Sequence, residues 1–148
     1  CVDPAWSRGI REFNSRVSGK SYSYAEYVGA IVNAIEQLRC PCFITCGKAD
    51  SKKYPEPEQR LMISFHGMEA CLHVYKGRLD ENVKRGMVDI IFVWQLLARA
   101  FNKVGDFNCG YGNVGRVFFK AGKQFVLSDY NSRCIGYIAA NAESWRAK

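Results

Sequence analysis

The chain predicts an α+β fold, a mostly antiparallel β-sheet with two α-helices packed on one face. Three observations carry that expectation. Two segments keep a helical period, and seven short runs are rich in β-branched and aromatic residues. Two helices are also too few to cover a parallel sheet on both faces.

The first helix is marked by Tyr24, Tyr27, Val28, Ile31, Val32, Ile35 and Leu38, an amphipathic stripe at threes and fours. Ser23 followed three residues on by Glu26 makes a capping box at its start. The second follows Val83, Met87, Ile90, Trp94, Leu97, Phe101 and Val104, with Asp80 to cap it and Gly105 to close it. Val88, Ile91 and Phe92 widen its apolar face, which predicts a core helix.

The expected strands are Phe43–Cys46, Leu61–Phe65, Ala70–Lys76, Phe107–Cys109, Arg116–Lys120, Gln124–Asp129 and Cys134–Ala139. Turn signals separate them at His66-Gly67, across Gly110 to Gly115, and at Ala121-Gly122. Lys48 to Gln59, charged and with two prolines, reads as a solvated loop. Ala70–Lys76, the second helix and Phe107–Cys109 are candidates for a crossover unit. Nothing repeats and no shift in composition divides the chain, so residues 1–148 are expected to form a single domain.

Composition narrows the class. Hydrophobic residues at 48%, aromatics at 14% and charged residues at 24% exclude disorder, collagen and coiled coil. The longest mainly apolar run, Met87 to Ala98, is broken by Asp89 and Gln95 and falls far short of the ~20 residues that span a bilayer. The chain opens at Cys1 with no charged-then-apolar leader, which is expected of a secreted protein whose signal peptide has been removed.

The seven cysteines stand at 1, 40, 42, 46, 71, 109 and 134. That scatter predicts a disulfide framework made in an oxidising compartment, hence secretion. Cys1, Cys40, Cys42, Cys46, Cys71, Cys109 and Cys134 are all candidates, and the odd number leaves one over. Cys71 and Cys109 flank the second helix on strands that would lie side by side. A bridge there would staple the crossover unit, worth about 3–4 kcal/mol in a chain-entropy treatment. Cys1 and Cys134 would tie the termini to the body, but six cysteines alone allow 15 connectivities. Cys40, Cys42 and Cys46, spaced by one and three residues, fit a zinc knuckle poorly even with His66 and His73 nearby, so no metal is expected.

The formal net charge is +7, and residues 116–148 hold six cations against two anions. Arg116, Lys120, Lys123 and Arg133 are the candidate basic surface, with Lys120 and Lys123 gathered at one hairpin end by the Gly122 turn. Such a surplus favours acidic partners: nucleic acid, anionic lipid or the mouth of a cation channel.

The inventory for catalysis is thin. No nucleophile elbow, metalloprotease helix or phosphate loop is present. His66 with Glu58 or Glu69 is the most natural acid–base pair on offer, and no catalytic residue is assigned. Gly110-Tyr-Gly-Asn-Val-Gly115 is expected to lead into a strand, so it reads as a hairpin loop without the helix N-terminus that would hold a phosphate. Tyr22, Tyr24, Tyr27, Tyr54, Tyr111, Tyr130 and Tyr137 are candidates for stacking on bases. No cofactor is implied.

Three stretches resemble the fungal killer-toxin-like superfamily of secreted toxins and effectors. Gly67-Met-Glu-Ala-Cys71-Leu-His-Val-Tyr75 resembles its glycine-then-cysteine strand. Asp89-Ile-Ile, running to Phe101 and then to Phe107-Asn-Cys109-Gly110, resembles its second helix and following strand. Gly122 through Cys134 resembles its last strand, while Cys40–Cys46 and the tail after Cys134 depart from the pattern. The resemblance implies a disulfide-stapled, split βαβ sandwich. It also implies a non-enzymatic secreted protein acting on another organism's cells, through a cell-surface or intracellular protein such as an ion channel or immune receptor.

Other stretches are similar to the guanyl-specific fungal ribonucleases and the inactive effectors built on that scaffold. These are Ser21-Tyr-Ser-Tyr-Ala-Glu-Tyr-Val28, Tyr54-Pro55 with Glu58, and Gly115-Arg116-Val-Phe-Phe. Glu56 replaces the histidine expected after Tyr-Pro, and Phe125–Asp129 lacks the terminal one. That resemblance implies RNA binding without catalysis.

Overall fold

A computed structural model describes residues 19, 23–65, 67–79, 88–129 and 131–146. The fold is α+β, and the described residues form two compact units that meet in sequence between Asp89 and Ile90. His66, Tyr22, Tyr130, Cys1, Asp80, Val83 and Met87 lie outside the described residues.

The N-terminal unit is a sheet with one helix. Helix α1 (Tyr24–Gln37) forms where the stripe predicts it. Ser23 accepts the Glu26 N–H at 3.1 Å, and Glu26 returns the bond to the Ser23 N–H at 2.7 Å. Val28 and Ile35, two turns apart, are its buried positions. Its far end is closed by a lysine from β3's exit. The Lys76 ammonium donates to the carbonyls of Ile35 (2.7 Å), Glu36 (3.0 Å) and Leu38. A cation there satisfies orphan carbonyls and opposes the negative end of the helix dipole.

Strands β1 (Cys42–Gly47), β2 (Gln59–Phe65), β3 (Met68–Tyr75) and β4 (Val88–Asp89) make one sheet in the order β1-β3-β2-β4. β1 and β2 flank β3 antiparallel, and β4 pairs with β2 in parallel. Phe65 pairs with Met68 where β2 meets β3, and Gly67, one of the residues the sequence marks for a turn, stands between them at φ +77°. The expected solvated loop holds a 3-10 turn at Ser51–Lys53, and its Lys53 ammonium sits 4.3 Å over the Tyr24 ring.

The C-terminal unit is where sequence reading and structure part. It contains α2 (Ile90–Ala100), β5 (Lys103–Asp106), α3 (Asn113–Lys120), β6 (Gln124–Leu127), α4 (Ser132–Asn141) and a closing 3-10 turn, Ala142–Arg146. The described chain therefore has four α-helices, not two. Helix α2 is shorter than its stripe suggests, because Val104 leaves it to pair with Phe125 across parallel strands β5 and β6. Phe107–Cys109 is a turn into Cys109, not a strand.

Arg116–Lys120 and Cys134–Ala139 are helical. Val117, Phe118 and Phe119 favour strands by propensity, but packing overrides it. Val114 and Phe118, one turn apart, are both buried, while Arg116 and Lys120 face out. Ala121-Gly122 is the close of α3 and not a hairpin. The Lys123 N–H reaches the Phe118 carbonyl and the Gly122 N–H reaches Phe119, a Schellman ending. Asn131 caps α4 by accepting the Arg133 N–H at 3.1 Å.

The crossover unit is thus β5–α3–β6, not the one expected between Ala70–Lys76 and Phe107–Cys109. Its core gathers Val93, Trp94 and Leu97 of α2, Val114 and Phe118 of α3, and Cys109, Cys134 and Trp145. The rings of Phe119, Phe125 and Trp145 pack at centroid spacings of 6.2–6.3 Å. No disulfide joins any two described cysteines. The expected Cys71–Cys109 pair is divided between the two units, because Cys71 belongs to β3 and Cys109 follows β5.

Candidate functional site

The outer surface of the C-terminal unit is cationic. Residues 90–146 carry seven Lys and Arg against Asp106, Asp129 and Glu143. Asp106 is buried. Asp129 is occupied inside the fold, accepting the Gly110 N–H at 2.8 Å and the Asn131 N–H at 2.8 Å. Glu143 alone of the three is an exposed acid outside such bonds, so little negative charge offsets the surface.

Helix periodicity puts Arg116 and Lys120 one turn apart on the exposed side of α3, about 6 Å of axis between them. Ion pairs between described residues, Lys48–Glu69, Lys53–Asp50 and Arg60–Glu56, all lie in the N-terminal unit. Arg116, Lys120 and Arg133 make none with described residues. Lys123 is different: its ammonium donates to Asn102 Oδ1 at 2.6 Å and so helps close β5 against the α3 exit. Arg133 stands exposed in the first turn of α4, where the helix dipole disfavours a cation.

Reading Cys134–Ala139 as a strand hides a second feature. In the helix, Arg133 and Tyr137 are four apart and share a face. The Tyr137 ring meets the Tyr111 ring edge-on at 5.1 Å, and both stay exposed, at 50% and 62%. Phe107 is exposed as well. Solvent-facing aromatic pairs beside a cation are typical of contact surfaces.

The glycine-rich Gly110–Gly115 segment opens a helix after all, inside a β–α–β unit, and its spacing matches the strand-to-helix loops that hold phosphates. Here, packing explains the glycines. Gly112, at φ +81°, is the N-cap of α3, and a Cβ on it would lie 3.1 Å from Ile138 and from Trp145. A Cβ on Gly115 would lie 2.5 Å from Leu127, so α3 approaches β6 closely at that point. Protein side chains occupy the space beside Gly112, and the Asp129 carboxylate takes the Gly110 N–H.

The N-terminal unit holds a buried histidine. Arg60 Nε donates to His73 Nε2 at 3.3 Å, so Nδ1 carries the proton and donates to Tyr75 Oη at 3.1 Å. Tyr75 in turn donates to the Pro55 carbonyl at 3.0 Å. The Tyr54 ring stands edge-on to the imidazole, and Cys46 Sγ is 3.9 Å from Nε2. His73 is fully buried, and burial, aided by the Arg60 guanidinium, lowers its pKa to about 4. Burial also raises the Tyr54 and Tyr75 phenols. A neutral, shielded imidazole with both nitrogens engaged supports packing, not proton transfer at neutral pH.

The carboxylates suggested as partners for His66 are engaged elsewhere. Glu58 accepts the N–H groups of Lys76 (2.9 Å) and Gly77 (3.2 Å), and Glu69 pairs with Lys48 at 2.8 Å. Among the described residues no three His, Cys, Asp or Glu side chains converge as metal ligands, and no helix is long and apolar enough to cross a membrane. Comparison with protein-family models, curated proteins and solved structures finds no match to this chain.

Proposed function

We propose that the protein is a secreted, disulfide-bearing, non-enzymatic effector of the killer-toxin-like kind. Its cationic C-terminal unit docks on an acidic protein surface of another organism's cells, such as a channel mouth or an immune receptor. The supporting observation is the Arg116–Lys120 pair, exposed and outside any ion pair with described residues, on a unit whose acids are mostly occupied internally. Fixed charges on a helix keep their spacing when a partner approaches, so they steer encounter and set register.

The test is binding of fluorescently labelled protein to a panel of plant and fungal cells. Binding to the responsive cells should fall at least tenfold in Arg116→Glu/Lys120→Glu, with an unchanged circular dichroism spectrum. Equal binding by the two proteins would mean that the Arg116–Lys120 surface does not dock.

A second reading, RNA binding on an inactive ribonuclease-like scaffold, draws on the exposed Tyr111–Tyr137 pair with Arg133 one turn away. Base stacking on such rings contributes about 1–3 kcal/mol per base. Titration with labelled single-stranded RNA at physiological salt should give no binding tighter than about micromolar, the non-specific level. Tighter binding that is lost in Tyr137→Ala would favour this reading over the first.

A further inference from the structure

Strands β1 and β3 pair antiparallel in a register that sets Cys46 directly opposite Cys71. Opposed residues on antiparallel neighbours project to the same face, with Cβ atoms about 4.5–5.5 Å apart. Their Cα separation, about 4.5–5.5 Å, lies inside the span a disulfide bridges. Both side chains are sequestered, at 1% and 2% exposure. Cys71 Sγ donates to the Met62 thioether at 3.8 Å, and Cys46 Sγ lies 3.9 Å from His73 Nε2, contacts that place both sulfurs on the same face of the sheet, as the register requires.

We propose that Cys46 and Cys71 form a cross-strand disulfide when the protein folds in an oxidising compartment. The oxidant is a low-molecular-weight disulfide such as glutathione disulfide. One cysteine thiolate attacks it, breaking its S–S bond and releasing one thiol. The second cysteine then displaces the mixed disulfide and releases the other. The two cysteines lose two electrons, and their two protons end on the two released thiols. Because folding covers both sulfurs, the exchange takes place while β1 and β3 are still open to solvent.

The bridge would close the chain from residue 46 to 71, which contains the Lys48–Gln59 loop, β2 and the hairpin turn. It would also lock the β1–β3 register. A slip of β1 by one residue would turn Ile44 and Cys46 to the face away from His73, so the lock protects the buried imidazole cluster.

The experiment is a disulfide map of the full chain secreted into oxidising medium. Free thiols are alkylated without reduction, and the protein is digested with trypsin and chymotrypsin. Cleavage after Phe43 separates Cys46 from Cys40 and Cys42. The expected result is a Cys46–Cys71 peptide pair and a melting midpoint that drops by about 10 °C on reduction. In Cys46→Ala/Cys71→Ala the contribution of this bridge to that drop should vanish. Finding Cys46 or Cys71 alkylated, or joined to another cysteine, in the folded oxidised protein would overturn the proposal. The map of the unaltered chain decides even if the double variant does not fold.

Discussion

Replacing His73 with glutamine should remove most of the protein's stability loss between pH 8 and pH 5. The imidazole titrates at about 4 in the folded chain, against about 6.5 for an unperturbed histidine in the unfolded one. The unfolded state therefore binds the proton first. His73's contribution is full above about pH 6.5 and is lost as pH falls towards 4. The linkage arithmetic gives about 2 kcal/mol lost by pH 5 and about 3 kcal/mol by pH 4. Burial is the largest cause of this shift; Arg60 adds to it by opposing a second positive charge, and Glu56 works against it more weakly. A glutamine keeps an acceptor for Arg60 and a donor for Tyr75 but does not titrate.

Urea unfolding of both proteins at pH 8 and pH 5 measures the difference. Glu26 and Glu69, whose pKa values are lowered by hydrogen bonds to Ser23 and Lys48, lose their contributions only as pH falls through the carboxylate range. At pH 5 they hardly intrude, and they are common to both proteins. The wild type should lose about 2 kcal/mol more than His73→Gln on going to pH 5. Equal losses would mean that His73 is not held neutral inside the sheet, and the buried-cluster description would fall.

Two further substitutions probe the supports of each unit. Lys76→Met keeps the apolar stem but leaves the carbonyls of Ile35, Glu36 and Leu38 without their ammonium, and should cost about 1–2 kcal/mol in thermal or urea unfolding. No measurable loss would show that water replaces the lysine freely. Gly112→Ala adds a Cβ at φ +81° and 3.1 Å from Ile138 and Trp145, so about 2–3 kcal/mol should be lost. A stability within 0.5 kcal/mol of wild type, about the noise of a surface change, would mean that α4 and the closing turn do not pack there.

What could be read in the sequence depended on whether local signals agreed. Helix α1 has its period, its capping box and an unbroken apolar stripe, so it was readable end to end. The β2–β3 hairpin was readable for the same reason, with apolar runs on either side of His66-Gly67. Helices α3 and α4 were not, because Val117-Phe118-Phe119 and Ile135 with Tyr137 carry strand propensity in segments of only eight and ten residues. The available signal was the one-turn spacing of Val114 and Phe118 with Arg116 between them. Register across β1 and β3 was hidden too: Cys42 to Cys46 are all buried, so no alternation fixes which residues share a face. On the candidate surface, composition pointed to Arg116, Lys120, Lys123 and Arg133, of which Lys123 is bonded to Asn102. The Tyr137–Tyr111 pairing needed the fold of α4.

In the proposed function, fixed cations of the C-terminal unit make the contact with an acidic target. The most direct measurement is the association rate of labelled protein with responsive cells as salt is raised from about 20 mM to about 500 mM, for wild type and for Arg116→Glu/Lys120→Glu. Screening shortens the reach of exposed charges from about 20 Å to about 4 Å over that range. The wild-type rate should therefore fall steeply, while the double variant should be slow at every salt concentration and nearly insensitive to it. Parallel salt dependences of equal size in the two proteins would mean that Arg116 and Lys120 do not make the contact.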